Sequence, residues 1–312
     1  MENISIIMCA FNSEDTISEA IESVLNQTIE NFEFIIINDG STDETLSRIN
    51  FYKKTDKRIK IISQNNLGAG LSRNRGIKVS SGKYIAFIDA DDIWIKNKLE
   101  LQIQVMKENA DADIVVTDMI SYDAIKRLPE ASMLEYKYYP DFFEQLVLNN
   151  LFFQPTTAMI KRELFNLAMY TQDHSGQDYY PFLMFALHEA KLFKISVPLY
   201  GERSLQGSLQ RSARSKHLSA IARHKAIKSI LENSELYSKF LTELKIDQLK
   251  FGNDRFLGWS AYTARHYMPY LDSLKFIINS YCSFYKKRIF TLELIKTLLF
   301  PIIKLKLIFK NF

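Results

Sequence analysis

Five short apolar runs rich in β-branched residues begin at Ile4, Phe34, Ile59, Tyr84 and Ile114, spaced 30, 25, 25 and 30 residues apart. That interval holds one strand plus a helix crossing back over a sheet, so the spacing predicts parallel strands joined by helices. Between the first two runs, Ile17, Ala20, Ile21, Val24 and Leu25 fall at i, i+3, i+4, i+7 and i+8. This is the apolar stripe of a helix that packs one face on a sheet. Ser41-Thr42-Asp43-Glu44 has the form of a capping box opening a second helix, and Leu99, Ile103 and Met106 give a later helix its buried face. Residues 1–120 therefore read as an α/β domain on a parallel sheet.

After Met119 the rhythm changes. Tyr136–Tyr139 is aromatic and irregular, Asp141–Leu148 has helical spacing, and Gln154–Ile160 suits a returning strand, so 121–212 is expected to continue the same domain. From Ala213 the pattern is helical and basic, through Ile221–Leu231 and Leu236–Leu249 to the tail Tyr285–Phe312. Charge divides the chain at the same place. Residues 1–202 carry 20 Lys and Arg against 29 Asp and Glu, whereas 203–312 carry 20 against 7, inside a net charge of +4. The expected organisation is 1–120 and 121–212 as two halves of one α/β domain, with 213–312 as a basic helical extension.

Hydrophobic residues at 47% with only 7 Pro and 10 Gly supply a core and exclude a low-complexity chain. The cysteines, Cys9 and Cys282, have neither zinc-ligand nor disulfide-framework spacing, which suits a reducing, cytoplasmic setting. No secretory leader is expected from Met1-Glu2-Asn3, which opens on an acid. The most apolar stretch, Ile289–Phe309, is broken by Glu293, Lys296, Lys304 and Lys306, so no spanning helix is expected.

In open parallel sheets, ligands bind outside the carboxyl ends of the strands. The residues that follow the expected strands are polar and acidic: Asn12, then Asn38-Asp39-Gly40-Ser41, then Asp89-Ala90-Asp91-Asp92. Carboxylates gathered on one rim repel one another unless a cation neutralises them, and Mg²⁺ or Mn²⁺ is usually held by one or two Asp together with substrate phosphates. Taken alone, Asp39-Gly40-Ser41 also fits a turn feeding a helix cap, and Asp89–Asp92 a solvated loop.

Four segments in order, Ser5–Asn12, Ile37–Asp43, Gly70–Ile77 and Phe87–Asp92, resemble the successive motifs of family 2 inverting glycosyltransferases of GT-A fold. The resemblance implies that Phe11 stacks near a nucleobase beside Asn12, that Asp39 hydrogen-bonds the base or ribose, and that Arg73 reaches the base or diphosphate. It implies Asp89 on the ribose or sugar side and Asp91 on a Mn²⁺ or Mg²⁺ ion bridging the diphosphate. The family often has Pro-Thr-Tyr-Asn where this chain has Cys9-Ala10-Phe11-Asn12, so the aromatic face is kept and the hydroxyls are lost. Gly176-Gln177-Asp178 resembles the family's Glu-Asp dipeptide, with Gln177 in place of Glu, which makes Asp178 the implied catalytic base. Asp178 alone also fits a helix cap. Arg203 and Arg211 fall in a segment similar to the one that closes the family's acceptor side, where a basic residue approaches the diphosphate.

The implied activity is transfer of a sugar from a nucleotide-diphosphate sugar, with UDP the expected nucleotide, to a glycan or lipid-linked acceptor in bacterial surface polysaccharide or glycoconjugate synthesis. Two alternatives remain open on the residues alone: a sugar nucleotidyltransferase on a similar sheet, and a subunit that binds nucleotide sugars without turnover. A nucleotidyltransferase would be expected to carry a glycine- and basic-rich loop after the first strand, and none is present. Gly-x-Gly-x-x-Gly, Walker A and His-Glu-x-x-His are also absent, His217 and His224 are expected on a helix surface, and no basic–aromatic periodicity points to nucleic acid. Residues 275–312 hold eight Lys and Arg against Glu293 alone, interleaved with apolar residues. Such a segment suits either an anionic membrane surface, making the protein peripheral on the inner face, or a docking helix on the catalytic domain or a second copy in a homo-oligomer.

Overall fold

The structure is a computed structural model that describes residues 4–126, 135–148, 151, 153–172, 176–203, 213–250 and 252–253. At its centre, β1 (Ile4–Ala10) lies parallel between β2 (Phe32–Asn38) and β4 (Tyr84–Asp89), and β3 (Ile59–Ser63) extends the sheet beyond β2. All seven residues of β2 are buried, as expected of parallel strands covered on both faces. The sheet continues from β4 through β8 (Ala158–Lys161), β6 (Ile114–Ser121) and β9 (Leu192–Glu202) to the short β5 (Ile93–Trp94), with β7 (Tyr136–Tyr139) also on β9. The helices are α1 (Ile17–Leu25), α2 (Thr45–Thr55), α3 (Ala69–Val79), α4 (Lys98–Glu108), α5 (Tyr122–Ile125), α6 (Phe142–Val147), α7 (Tyr179–Leu187) and α8 (Ala213–Glu232).

Where periodicity was strong, the expected elements form. α1 buries Ile17, Ala20, Ile21 and Val24, and α4 buries Leu99, Ile103 and Met106. Four expectations are corrected. β6 does not join the parallel set directly, because β8 inserts antiparallel between β4 and β6. Tyr136–Tyr139 is a strand, antiparallel to β9, with the Tyr138 ring stacked on Phe193 at 4.9 Å; cross-strand aromatic packing stabilises it without polar alternation. The returning strand starts only at Ala158, since Pro155 opens a 3-10 turn over Pro155–Thr157 and has no N–H for a ladder. The capping box does not form either. α2 starts at Thr45, and the Asp43 carboxylate accepts the Thr45 and Glu14 N–H groups, each at 3.1 Å. Residues 41–44 thus tie the loop after β2 to the chain after β1.

One carboxylate secures the far ends of the parallel strands. Glu33, 8% exposed, accepts the Ser5 hydroxyl at 2.5 Å and the Ser81 N–H and hydroxyl at 2.6 and 2.8 Å, and pairs with Lys60 at 2.6 Å. Burial opposes its charge, yet the bonds from Lys60, Ser5 and Ser81 win and hold the carboxyl at about 2.

Contacts divide the chain into two units, residues 1–174 with 180–206, and residues 175–179 with 207–312. In the second, α8 buries Ala222, Arg223, Ala226, Ile227 and Ile230. His224 is half-buried, its Nδ1 2.6 Å from Asn253 Oδ1, rather than out on the helix surface. The tail 275–312 and Cys282 lie outside the described residues. No helix among the described residues is long and apolar enough to cross a membrane.

Lys98 is fully buried, donating to Gln102 Oε1 at 2.7 Å with its ammonium 4.3 Å over the Trp94 ring, and burial pushes its pKa down to about 7 from 10.5. A folded pKa below the unfolded one means that the unfolded chain binds more protons above pH ~7, so stability rises with pH from there, by at most ~1.4 kcal/mol per unit. Lys98→Met should lack this rise. Thermal melts should show the wild type gaining on the variant between about pH 6 and pH 9, and parallel profiles would mean that Lys98 stays charged in the fold.

Candidate active site

The register Ala10↔Asn38 and Cys9↔Asp89 sets the carboxyl ends of β2, β1 and β4 side by side. Neighbouring strands are ~4.8 Å apart, so Asp39 and Asp89 flank β1 about 10 Å from one another across the rim. Phe11, just beyond β1, is 47% exposed and offers its ring to solvent. Asn12 takes φ +47°, a left-handed conformation that Asn tolerates better than most residues. Its N–H donates to Ser41 Oγ at 3.1 Å and its Oδ1 accepts the Thr42 N–H at 2.9 Å, which locks the turn that presents Phe11.

Asp39 is buried. Its Oδ1 accepts from Gln64 Nε2 at 2.8 Å and the Leu67 N–H at 2.9 Å, and its Oδ2 accepts the Gly68 N–H at 2.9 Å. The next residue, Gly40, has φ +80°, and a Cβ there would lie 2.8 Å from the Asn66 nitrogen. Both oxygens that the resemblance directs toward a nucleobase are therefore already shaping the 64–68 loop that leads into α3. On that helix, a Cβ at Gly76 would fall 2.5 Å from Ile7 Cγ2, so the missing side chain lets α3 rest directly on β1. The close approach brings buried Arg73 to Asp89, Nη2 to Oδ1 2.8 Å, with its guanidinium 5.6 Å from the Tyr170 ring centroid.

The two remaining acids of the rim differ. Asp92 points inward: Oδ1 accepts the Arg203 N–H at 2.7 Å and Oδ2 accepts the Tyr200 hydroxyl, while burial and then the charges of Asp91 and Asp89 raise its pKa to about 8. Asp91 is in no ion pair among the described residues. Burial, then the charge of Asp89, pushes its carboxyl up to about 6. Arg203, which the resemblance directs toward a diphosphate, is bonded to Glu19 and to the Asp91 carbonyl and stacked on Tyr122. Burial pushes the Cys9 thiol to about 12, which leaves it no nucleophilic thiolate.

The implied divalent ion can be tested against this rim. Among the described residues, no group of three or more His, Cys, Asp and Glu side chains is poised to hold a metal. A half-buried carboxylate crowded by a like charge is nevertheless a group that a cation would stabilise, and hard divalent ions commonly take one or two carboxylates plus phosphate oxygens. Asp91 fits that partial role.

Asp178 lies in the second unit, half-buried in the turn before α7, next to Gln177. Gly176 opens that turn with φ +75°, and its carbonyl accepts the Tyr179 N–H at 3.1 Å. The buried guanidinium of Arg223 sits 5.3 Å over the Tyr179 ring and is near enough for its charge to act on Asp178. Arg211 lies outside the described residues. The structure thus gathers Phe11, Asn12, Asp39, Arg73, Asp89 and Asp91 at one sheet edge and sets Asp178 in the other unit. Gln64, which holds Asp39, and Glu19 and Tyr122, which hold Arg203, belong to none of the sequence motifs.

The sequence profile of Glycosyl transferase family 2 matches residues 5–167. The chain belongs to glycosyltransferase family 2. This glycosyltransferase is 30% identical over 227 residues to Glycosyltransferase GlyG of Streptococcus pneumoniae serotype 4, covering 68% of this chain and 74% of that protein. It is 47% identical over 107 residues to WfgD of Escherichia coli, a UDP-Glc:alpha-D-GlcNAc-diphosphoundecaprenol beta-1,3-glucosyltransferase, covering 34% of this chain. The chain spans 42% of that relative's length and 15% of another's. The crystal structure of S. aureus TarS 1–349 superposes with a TM-score of 0.66 at 19% identity, covering 90% of this chain and 81% of that one, and the same fragment has been solved with UDP-GlcNAc. The fold is GT-A.

If Asp39 organises the 64–68 loop, Asp39→Asn should cost the free protein about 1–3 kcal/mol, because an amide nitrogen would face a buried N–H donor. Urea unfolding without nucleotide measures this. Unchanged stability would leave Asp39 a role in ligand binding alone.

Proposed function

We propose that this glycosyltransferase moves a sugar from a nucleotide-diphosphate sugar, with UDP as the nucleotide, to a hydroxyl of a lipid-linked glycan acceptor, inverting the anomeric configuration. The observation that carries the reading is the set of Phe11, Asn12, Asp89 and Asp91 on adjoining strand ends of a family 2 chain, with Arg73 brought to Asp89 from α3. The UDP-Glc donor and diphosphoundecaprenol acceptor in the E. coli relative's name support the choice of donor and acceptor, as does the UDP-GlcNAc complex of the structural neighbour.

In this mechanism the exposed ring of Phe11 stacks on the nucleobase, and the loop organised by Asp39 walls the other side. The Arg73–Asp89 pair holds a carboxylate of fixed direction against the ribose or sugar hydroxyls, since a charge-paired, partly buried Asp keeps one geometry. Asp91 would hold a Mn²⁺ or Mg²⁺ ion, which would supply positive charge beside the leaving group. Asp178 accepts the proton of the acceptor hydroxyl as its oxygen bonds to the anomeric carbon. The bond from that carbon to the diphosphate oxygen breaks on the opposite face, and the electron pair leaves with the nucleoside diphosphate.

Asp178→Asn should lower transfer by about 10²–10⁴ while UDP binding persists, the usual contribution of a general base. Asp91→Asn should abolish the Mn²⁺-dependent part of UDP-induced thermal stabilisation. Turnover assays and melts with UDP, UDP-Glc and UDP-GlcNAc, with and without Mn²⁺, measure both, and wild-type turnover in either variant would overturn the assignment. The basic tail is proposed to attach the protein to anionic membranes. Sedimentation should therefore be greater with anionic than with neutral liposomes, and equal sedimentation would refute the attachment.

A further inference from the structure

A clasp of side chains grips the Asp89–Asp92 loop from outside the rim. Arg203 follows the last residue of β9. Its Nη2 lies 2.6 Å from the Glu19 carboxylate on α1, and its guanidinium carbon is 3.4 Å from the ring centroid of Tyr122 on α5. Tyr122 also donates its hydroxyl to Glu19, and Lys126 Nζ lies 2.6 Å from the same carboxylate. Held in this way, Arg203 donates Nε–H to the Asp91 carbonyl at 2.9 Å and its backbone N–H to Asp92 Oδ1 at 2.7 Å. The Arg203 side chain is 20% exposed.

These bonds hold the peptide and the residue that follow Asp91. The bond to its carbonyl fixes the peptide plane after Asp91, and Asp92 is fixed through its carboxylate by Tyr200 and by the Arg203 amide. With that peptide and residue anchored, and with the Ala90 carbonyl just before Asp91 accepting the Thr16 hydroxyl at 2.9 Å, the Cα–Cβ direction of Asp91 is set. A guanidinium suits the task because its plane stacks on Tyr122 while separate edges serve Glu19 and the Asp91 carbonyl, whereas an ammonium has no such plane. The same engagement argues against a direct bond from Arg203 to a diphosphate.

We infer that Arg203 is the positioning residue that aims Asp91, and that Glu19 and Tyr122 hold it in that role. The inference rests on the reading of Asp91 as the donor-side carboxylate. It places the control of that carboxylate in α1, α5 and the end of β9, all outside the Asp89–Asp92 segment itself.

The test is calorimetric titration of UDP into the full chain, with and without Mn²⁺, for wild type, Arg203→Gln, Arg203→Lys, Glu19→Gln and Asp91→Asn. Loss of a group that orients a metal-binding side chain typically costs about 10–100-fold in metal affinity. Arg203→Gln should therefore lose about 10-fold or more of the Mn²⁺-dependent gain in UDP affinity while metal-free UDP affinity stays at the wild-type value. Arg203→Lys should not restore the gain, and Glu19→Gln should show a smaller loss of the same kind. An intact Mn²⁺-dependent gain in Arg203→Gln, or an equal fall in metal-free affinity, would overturn the inference. If Arg203→Gln does not fold, Glu19→Gln decides: a selective loss supports the clasp, and wild-type behaviour refutes it. Asp91→Asn separates the two claims. If it keeps the gain, the donor-site reading falls and the clasp with it, whereas a loss in Asp91→Asn beside an unchanged Arg203→Gln removes the clasp alone.

Discussion

The candidate site depends on the parallel pairing of β2, β1 and β4, whose register ends the strands together. Parallel hydrogen bonding fixes the stagger of adjacent strands, and buried faces leave no freedom to slip by one residue without turning apolar side chains outward. Phe11, Asn12, Asp39 and Asp89 are neighbours because of that register, although they are far apart in sequence. Helix placement adds the rest: α3 approaches β1 closely at Gly76 and so carries Arg73 to Asp89.

The acids on this rim are mostly balanced from within. Backbone N–H groups and Gln64 occupy Asp39, Arg73 occupies Asp89, and Tyr200 with the Arg203 amide occupies Asp92. A pile-up of like charge on neighbouring strand tips is thereby reduced to one carboxylate, Asp91, whose ionisation is still opposed by burial and by Asp89. Asp39, Asp89 and Asp92 have firm internal partners, and Asp91 is the carboxylate whose charge is least compensated.

Much of this was legible in the sequence because period and motif both leave marks on a linear chain. The stripe in Ile17–Leu25 and the apolar runs at Ile4, Ile59 and Tyr84 report burial directly, and the acidic segments after the strands report the rim. Family membership and the GT-A fold, expected from four motifs, are found. The order of strands past β4 was not legible, since β8 is short and reaches its place antiparallel through a long excursion. β7 escaped notice because aromatic pairing with Phe193 replaces polar alternation. The contacts of Asp39 and Arg203 were hidden for a related reason: Leu67 and Gly68 bond through their backbone, which every sequence carries, and Glu19 lies 184 residues from Arg203.

Glu33 and the acids of the rim occupy opposite ends of the same strands, separated by the ~20 Å that a seven-residue strand spans. One carboxylate, wholly spent on Ser5, Ser81 and Lys60, serves as the foundation, while at the other end Asp91 is left in no ion pair among the described residues. Substitutions at the rim can therefore accumulate without disturbing the joint that keeps the strands assembled. A single layer of β-structure in this way serves as both footing and workbench.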